Sequence, residues 1–405
     1  ACRRCDPPGS RREALHVTTT PPSTAVMKIL LLGDASNCHR TLATGLRKLG
    51  DDVTVASDGT TWMNTERDID IMRHGTGRLA GAELWWRIKH RLHSRLKGYD
   101  VVSLHNPVFL NLRPERCRLI FDRLKKENRS VFLTALGTDT PYVEECIAPD
   151  SRLRYSEFRH FGAAAPFAVE HPEQETDWLK EPLKGLCSHV YGNIDGAVAV
   201  LYEYFLSAGR ALPEEKCCYG GIPIDTDAIR PVELPENPDK IRLFLGRHSY
   251  RTSIKGTDRL ETAARRAMER HPGKAELVIV ENRPYKEYTE LLRSAHVVLD
   301  QAYSYTPATN ALLAMAYGQC AVSGAEPEYY SFIGEDGPCG NRPVFNSPTD
   351  VEGMTALMES IITSPRGALR ERGLRSREFV EKHNSATVVA RRFRDFWQQR
   401  IYSSD

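Results

Sequence analysis

Met27-Lys28-Ile29-Leu30-Leu31-Leu32-Gly33-Asp34-Ala35-Ser36-Asn37 opens the stretch on which the fold turns. After Lys28 come four consecutive apolar residues, too uniform to alternate and too short for a helix, so residues 28–32 read as a strand buried on both faces. Residues 37–49 carry apolar side chains at helical spacing and stop at Gly50, and residues 52–56 return to strand character. Strand, helix, strand in that order is the unit of a parallel sheet with covering helices.

Working outward, the alternation persists. Short apolar strands are predicted at 101–104 and 130–133 with a helix over 113–126 between them, and residues 195–208 supply one more strand and helix. After a loop around Pro213 a second series starts near Ile222. Its strands are placed at 241–245, 277–280, 297–299, 320–322 and 344–345, and its helices at 256–270, 285–294, 309–317 and 350–362. Two further helices, 366–382 and 385–400, end the chain. The fold class is therefore α/β, with two Rossmann-like doubly wound domains facing across a cleft, the default place for a ligand of such sheets. The boundaries are drawn at 27–212 for the first domain, 213–384 for the second and 385–405 for the terminal helix.

Composition fits two packed cores. The chain has 405 residues, 41% hydrophobic and 27% charged, with 55 Lys plus Arg against 53 Asp plus Glu. The excess of two sits in residues 1–26, where Arg3, Arg4, Arg11 and Arg12 face Asp6 and Glu13, so the body is neutral and unlike a nucleic-acid binder. That segment lacks periodicity and an apolar signal region, and is expected to be a disordered, dispensable extension. No apolar run approaches the roughly 20 residues of a membrane span. Of the ten cysteines, Cys2 and Cys5 form a C-x-x-C without a second pair and Cys217 and Cys218 are adjacent, which suits reduced cysteines and a cytoplasmic protein.

Several segments at predicted strand ends carry chemistry. The most specific is Leu299-Asp300-Gln301-Ala302-Tyr303-Ser304-Tyr305-Thr306-Pro307-Ala308-Thr309-Asn310-Ala311-Leu312-Leu313-Ala314-Met315-Ala316-Tyr317-Gly318. Here Thr309 is a candidate N-cap, and free amides of Ala308, Thr309 and Asn310 at a helix start suit a diphosphate. Gly246-Arg247 closes one strand and Lys255-Gly256 opens the next helix, with Arg251 as a rival for the role of Arg247. Gly33-Asp34-Ala35-Ser36-Asn37, His105-Asn106-Pro107 and Gly137-Thr138-Asp139 each follow a strand of the first domain. Structural histidines and capping aspartates have the same appearance as a base at such places. Gly221-Ile222-Pro223-Ile224-Asp225-Thr226-Asp227 contains a D-x-D, the pattern of a divalent-metal site, but a second complete sheet follows it.

Together these segments resemble glycosyltransferases of the B-type (GT-B) fold, in particular the large family-four (group 1) enzymes, over roughly residues 27–400. The resemblance implies a transferase that moves a sugar from a nucleotide-sugar to an acceptor held by the first domain, in glycan, polysaccharide or glycolipid synthesis. It implies that Arg247, or Arg251, and Lys255 hold the donor diphosphate together with the helix start at Ala308, Thr309 and Asn310. Asp34, His105 and Asp139 become the catalytic candidates, with Gly33 and Asn37 on the sugar and acceptor side. No metal and no separate cofactor are implied, and the terminal helix, through Phe393 and Trp397, is expected to return to the first domain. One departure stands out: the family's pair of glutamates, seven residues apart, falls on Tyr305 and Leu313, so ribose recognition passes to groups such as Asn310 or Glu328. Retention of configuration is the family's outcome, and the substituted pair leaves inversion open. Two other readings stay open, an epimerase of nucleotide-sugars using Glu326 and Glu328, and a non-catalytic binder.

Residues 83–97, from Glu83 to Lys97, place Trp85, Trp86, Ile88, Leu92 and Leu96 among Arg87, Lys89, Arg91 and Arg95. The plain reading is one sheet-covering helix with a solvated basic face, and the functional one is a peripheral contact with an anionic membrane.

Overall fold

The computed structural model describes residues 25–60, 63–233, 238–247 and 252–402. Arg251 and residues 1–24 of the expected disordered extension lie outside them.

The first half runs β1 (Lys28–Leu32), α1 (Cys38–Lys48), β2 (Asp52–Ser57), β3 (Ile69–Asp70), α2 (Arg78–Trp86), β4 (Val101–Leu104), α3 (Pro114–Glu127), β5 (Ser130–Ala135) and α4 (Thr140–Ile147). A small hairpin follows, β6 (Arg159–His160) and β7 (Ala163–Ala164), then α5 (Pro166–Glu170), α6 (Pro172–Trp178), α7 (Leu183–Asn193), β8 (Gly196–Ala199), α8 (Tyr202–Ala211) and β9 (Cys217–Tyr219). Its seven main strands form one parallel sheet in the order β3-β2-β1-β4-β5-β8-β9, with Ile29 level with Val53 on one side and Val101 on the other. The second half runs β10 (Ile241–Arg247), α9 (Thr252–Lys255), α10 (Thr257–Arg270), β11 (Ala275–Glu281), α11 (Tyr285–Arg293), β12 (Val297–Leu299), α12 (Thr309–Ala316), β13 (Cys320–Ser323), α13 (Pro327–Phe332), β14 (Phe345–Asn346), α14 (Val351–Thr363), α15 (Arg366–His383) and α16 (Ala386–Tyr402). Its sheet is again parallel, in the order β11-β10-β12-β13-β14.

The central strands are apolar on both faces because helices cover both faces; Leu30 and Leu31 are equally inaccessible although they point opposite ways. In each sheet the strand order reverses once, between β1 and β4 and between β10 and β12. A crevice opens beyond the carboxyl ends of the strands at such a reversal. The loops after β1, β4, β10 and β12 carry most of the candidate residues, while Asp139 follows β5 and Glu328 lies on α13.

The terminal helix returns to the first domain. Trp397 is fully buried with its ring 6.1 Å from that of Phe132 on β5 and 5.5 Å from that of Phe393. Gly45 allows α16 to lie against α1, since a Cβ there would stand 2.1 Å from the Ala386 carbonyl oxygen. Arg394 locks the contact from its Nε to Asp51 at 2.9 Å, and Asp51 also accepts the amide of Met27 at 3.1 Å.

Residues 83–97 do not form one helix. α2 stops at Trp86, a single π-helical turn spans Arg87–Arg91 and a 3₁₀ turn spans His93–Leu96. Leu84, Ile88 and Leu96 are buried against the sheet, which sets this path, while Trp86 stays half exposed.

Candidate functional site

On the first-domain side, the loop after β1 is shaped by a close approach. Gly33 has φ +79°, and a Cβ there would stand 1.9 Å from His105 Nδ1, so the imidazole at the end of β4 lies directly over the glycine. His105 is pushed down to about 4 by burial and is neutral at physiological pH; its Nδ1 is buried without a hydrogen-bond partner. Asp34 turns inward beneath the start of α1, accepting the amides of His39 at 2.9 Å and Arg40 at 3.3 Å. Burial lifts its carboxyl to about 7, since the backbone donors recover only part of the lost hydration. Asn37, left-handed at φ 61°, is the cap position of α1 and its side chain donates to Thr41 Oγ1 at 3.3 Å rather than capping.

His39, unread in the sequence, anchors this corner. Its Nδ1 meets the Gly33 carbonyl at 2.7 Å and its Nε2 meets Thr134 Oγ1 at 2.9 Å. Because a carbonyl only accepts, Nδ1 carries the proton and the Thr134 hydroxyl donates to Nε2. Burial pushes His39 down to about 3, so this neutral arrangement holds throughout the physiological range.

Asp139, a catalytic candidate from the sequence, is tied into the first domain. One oxygen caps α4 by accepting the Tyr142 amide at 2.9 Å, the other accepts the Tyr191 hydroxyl at 2.7 Å, and the side chain is buried. Each of its oxygens thus has a partner within the first domain. Asn106 ties the two strand-end loops together through Thr138 O at 3.1 Å and the Val108 amide at 2.9 Å.

On the second-domain side, Asp300 ends β12 fully buried and accepts Lys255 Nζ at 2.9 Å and Ser323 Oγ at 3.3 Å. The Ala302 amide also donates to the Lys255 carbonyl at 2.8 Å, so the lysine is fixed beside the loop leading to α12. Arg247, at the end of β10, pairs with Glu281 at 3.1 Å and with Glu261. The helix start is one residue off the expectation. Ala308 is the cap position and Thr309 the first helical residue, and among the described residues no side chain caps α12. Leu313 packs beside the apolar cluster of Phe244, Val298 and Leu292. Tyr305 is inaccessible, its ring 5.0 Å from that of Tyr155 and 6.2 Å from that of Tyr202.

Those two partners belong to the first domain, and the sequence did not single them out. Arg154 donates its amide to the Tyr305 hydroxyl at 2.5 Å and forks its guanidinium between Glu326 and Glu328. Glu326 is held further by the Tyr155 hydroxyl at 2.7 Å and Asn346 Nδ2 at 2.6 Å. His160, on β6, sets its ring 4.3 Å from that of Tyr303. Glu328, expected on the donor side, thus faces the junction of the two domains with one oxygen committed to Arg154. Asp225 and Asp227, the D-x-D, bind Lys48 of α1 at 3.3 and 2.7 Å, a salt link between the halves.

No protein-family profile and no curated protein sequence matches the chain. Among solved structures it is similar to sucrose-phosphate synthase from Thermosynechococcus elongatus, with 13% identity and a TM-score of 0.59 over 93% of this chain and 100% of that one. The catalytic domain of starch synthase IV from Arabidopsis thaliana, bound to ADP and acarbose, has 10% identity and a TM-score of 0.58 over 93% and 100%. A candidate UDP-N-acetylglucosamine 2-epimerase from Listeria monocytogenes has 11% identity and a TM-score of 0.51 over 91% and 95%. Two parallel sheets, each with one reversal of strand order, a terminal helix that crosses back, and likeness over nine tenths of the chain lead to one conclusion: this chain has the GT-B fold.

Proposed function

We propose that the protein is a glycosyltransferase that takes a sugar from a nucleotide-sugar and hands it to an acceptor resting on the first domain. The observation that carries this reading is the Lys255–Asp300 pair at the head of the loop that leads to α12, at the strand reversal of the second sheet. Breaking the bond between the sugar and the diphosphate leaves negative charge on the leaving group. A fixed ammonium, the Arg247 guanidinium and the amides of Ala308, Thr309 and Asn310 stabilise that charge where it develops. Side-chain cations do this work in the proposal, with no metal assigned to it. Gly33, Asn37 and His105 line the acceptor side, and Asp34 supports that loop from beneath. For a lipid-linked acceptor, exposed Leu79 and Trp86 with neighbouring Lys89 and Arg91 provide the surface that meets an anionic bilayer. No helix among the described residues is long and apolar enough to cross a membrane.

A second reading, a nucleotide-sugar epimerase, is favoured by Glu326 and Glu328 converging on Arg154 at the domain junction. The test is incubation with a panel of nucleotide-sugars. A transferase releases nucleoside diphosphate faster once an acceptor is added. An epimerase alters the sugar and leaves the nucleotide attached. A chain that does neither is a binder, and the transferase reading fails.

A further inference from the structure

The loop that leads into α12 is not held by its own domain alone. Glu203, in the first turn of α8, accepts the Tyr305 amide at 2.5 Å and the Thr306 amide at 3.1 Å on one oxygen. Its other oxygen accepts the Thr306 hydroxyl at 2.6 Å, and that hydroxyl in turn accepts the Tyr202 amide at 3.1 Å. Glu203 is 4% exposed and Thr306 2%, so water does not compete for these bonds. Four hydrogen bonds therefore join the first turn of a first-domain helix to the residues immediately before Pro307 and the α12 start. Position 305 is where the resembled family keeps a glutamate; here it is a tyrosine whose backbone amide is held by a carboxylate from the opposite domain.

We infer that Glu203 is a positioning residue: it fixes the Tyr305–Thr306 backbone when the domains meet, and so sets the start of α12 for a nucleoside diphosphate. The inference rests on the donor-site reading proposed above. It makes the diphosphate site a joint product of both domains. A carboxylate acceptor for two amides can be matched by an amide oxygen but not by a methyl group, so Gln and Ala at this position separate hydrogen bonding from charge.

The experiment reads amide hydrogen exchange at Tyr305 and Thr306, with amides of β10 as the internal reference, in wild type, E203Q and E203A. It adds dissociation constants for ADP, UDP, adenosine and uridine. Expected in E203A are exchange at 305 and 306 at least about tenfold faster with β10 unchanged, and nucleoside diphosphate binding weakened about ten- to a hundredfold. Nucleoside binding stays within about threefold, and E203Q, whose amide oxygen keeps both backbone amides while its amide nitrogen cannot accept the Thr306 hydroxyl, departs from wild type by no more than about threefold in exchange and in diphosphate binding. If E203A fails to fold, Thr306→Val removes the hydroxyl between Tyr202 and Glu203 and gives the same pattern at about threefold. Exchange at 305 and 306 that rises no more than at β10 overturns the inference. So does fast local exchange with unchanged diphosphate affinity, which reduces Glu203 to a structural tie. A wild-type protein that binds neither ADP nor UDP sinks the donor-site reading itself, and the exchange measurements then still decide whether Glu203 holds the loop.

Discussion

Burial of Asp34 has a consequence for pH. Its carboxyl is raised from 3.8 to about 7 in the folded chain, so between those values the folded state binds more protons than the unfolded one. Stability from this group is therefore greatest below pH 4, falls as pH rises toward 7 and is flat above. Asp139, raised to about 6 by burial, acts in the same sense over a narrower window. Asp34→Asn keeps the acceptor for the His39 amide and removes the titration. Its Tm should decline less between pH 5 and 7.5 than that of wild type, and exceed it at pH 8 by about 2–4 °C. An unchanged slope in differential scanning calorimetry rejects this account. At the phosphate side, Arg247→Ala and Lys255→Ala should each lower donor turnover about ten- to a thousandfold, the range for a charge that stabilises a developing anion. The two variants differ in stability. Lys255→Ala strands the buried Asp300, so its loss must be read in the folded fraction or in the Lys255→Ala, Asp300→Asn pair, whereas Glu261 keeps Arg265 as partner after Arg247→Ala. Normal turnover in both variants removes the transferase reading.

At the scale of elements, what the sequence reveals depends on how an element is buried. β1, β4 and β12 coincide with their predicted bounds because strands covered on both faces leave compact apolar runs between turn residues. α4 through α7 and the β6–β7 hairpin escaped notice because they are short, α5 and α6 each start at a proline, and their burial follows no common pattern, α4 being almost wholly buried and α6 having no buried residue. Arg154, Tyr155 and His160 stand in that stretch, and for that reason the cross-domain half of the site was not legible. Glu203 left a faint signal, a carboxylate just past the carboxyl end of a strand. The terminal helix was legible through its two spaced aromatics, and its packing gives a test. Trp397→Ala removes a fully buried indole between Phe132 and Phe393 and should cost about 3–5 kcal/mol in urea unfolding, against under about 0.5 kcal/mol for exposed Leu374→Ala. A Trp397→Ala loss as small as that of Leu374→Ala contradicts the crossing helix as a structural bond.

For the whole molecule, the question is what keeps two halves, each built on its own sheet but sharing one continuous apolar cluster, in one arrangement. Four kinds of contact do so: the apolar face of α16 on the first domain, the aromatic packing of Tyr305 on Tyr155 and Tyr202 and of Phe332 on Tyr202 and Phe205, the buried Glu203 bonds, and ion pairs at Arg154 and Lys48. They differ in how readily they yield. The α16 contact persists whenever the chain is folded, while Arg154 is about half exposed at 47% and its attraction to Glu326 and Glu328 is screened by salt. The ion pair is thus the contact that can open without unfolding anything. On the donor-site reading proposed above, Arg154→Ala also leaves Glu326 and Glu328 without their counter-charge, two carboxylates that repel a diphosphate. Nucleoside diphosphate affinity should therefore fall about three- to tenfold, and wild type at 0.5 M salt should move part of the same way. Arg210→Ala, which breaks an ion pair with Glu145 and Asp150 inside the first domain, serves as the control. In small-angle scattering of the ligand-free protein, the radius of gyration should rise for Arg154→Ala and stay at the wild-type value for Arg210→Ala. Equal radii and equal affinities in wild type and Arg154→Ala would show that the buried contacts alone set the arrangement of the domains.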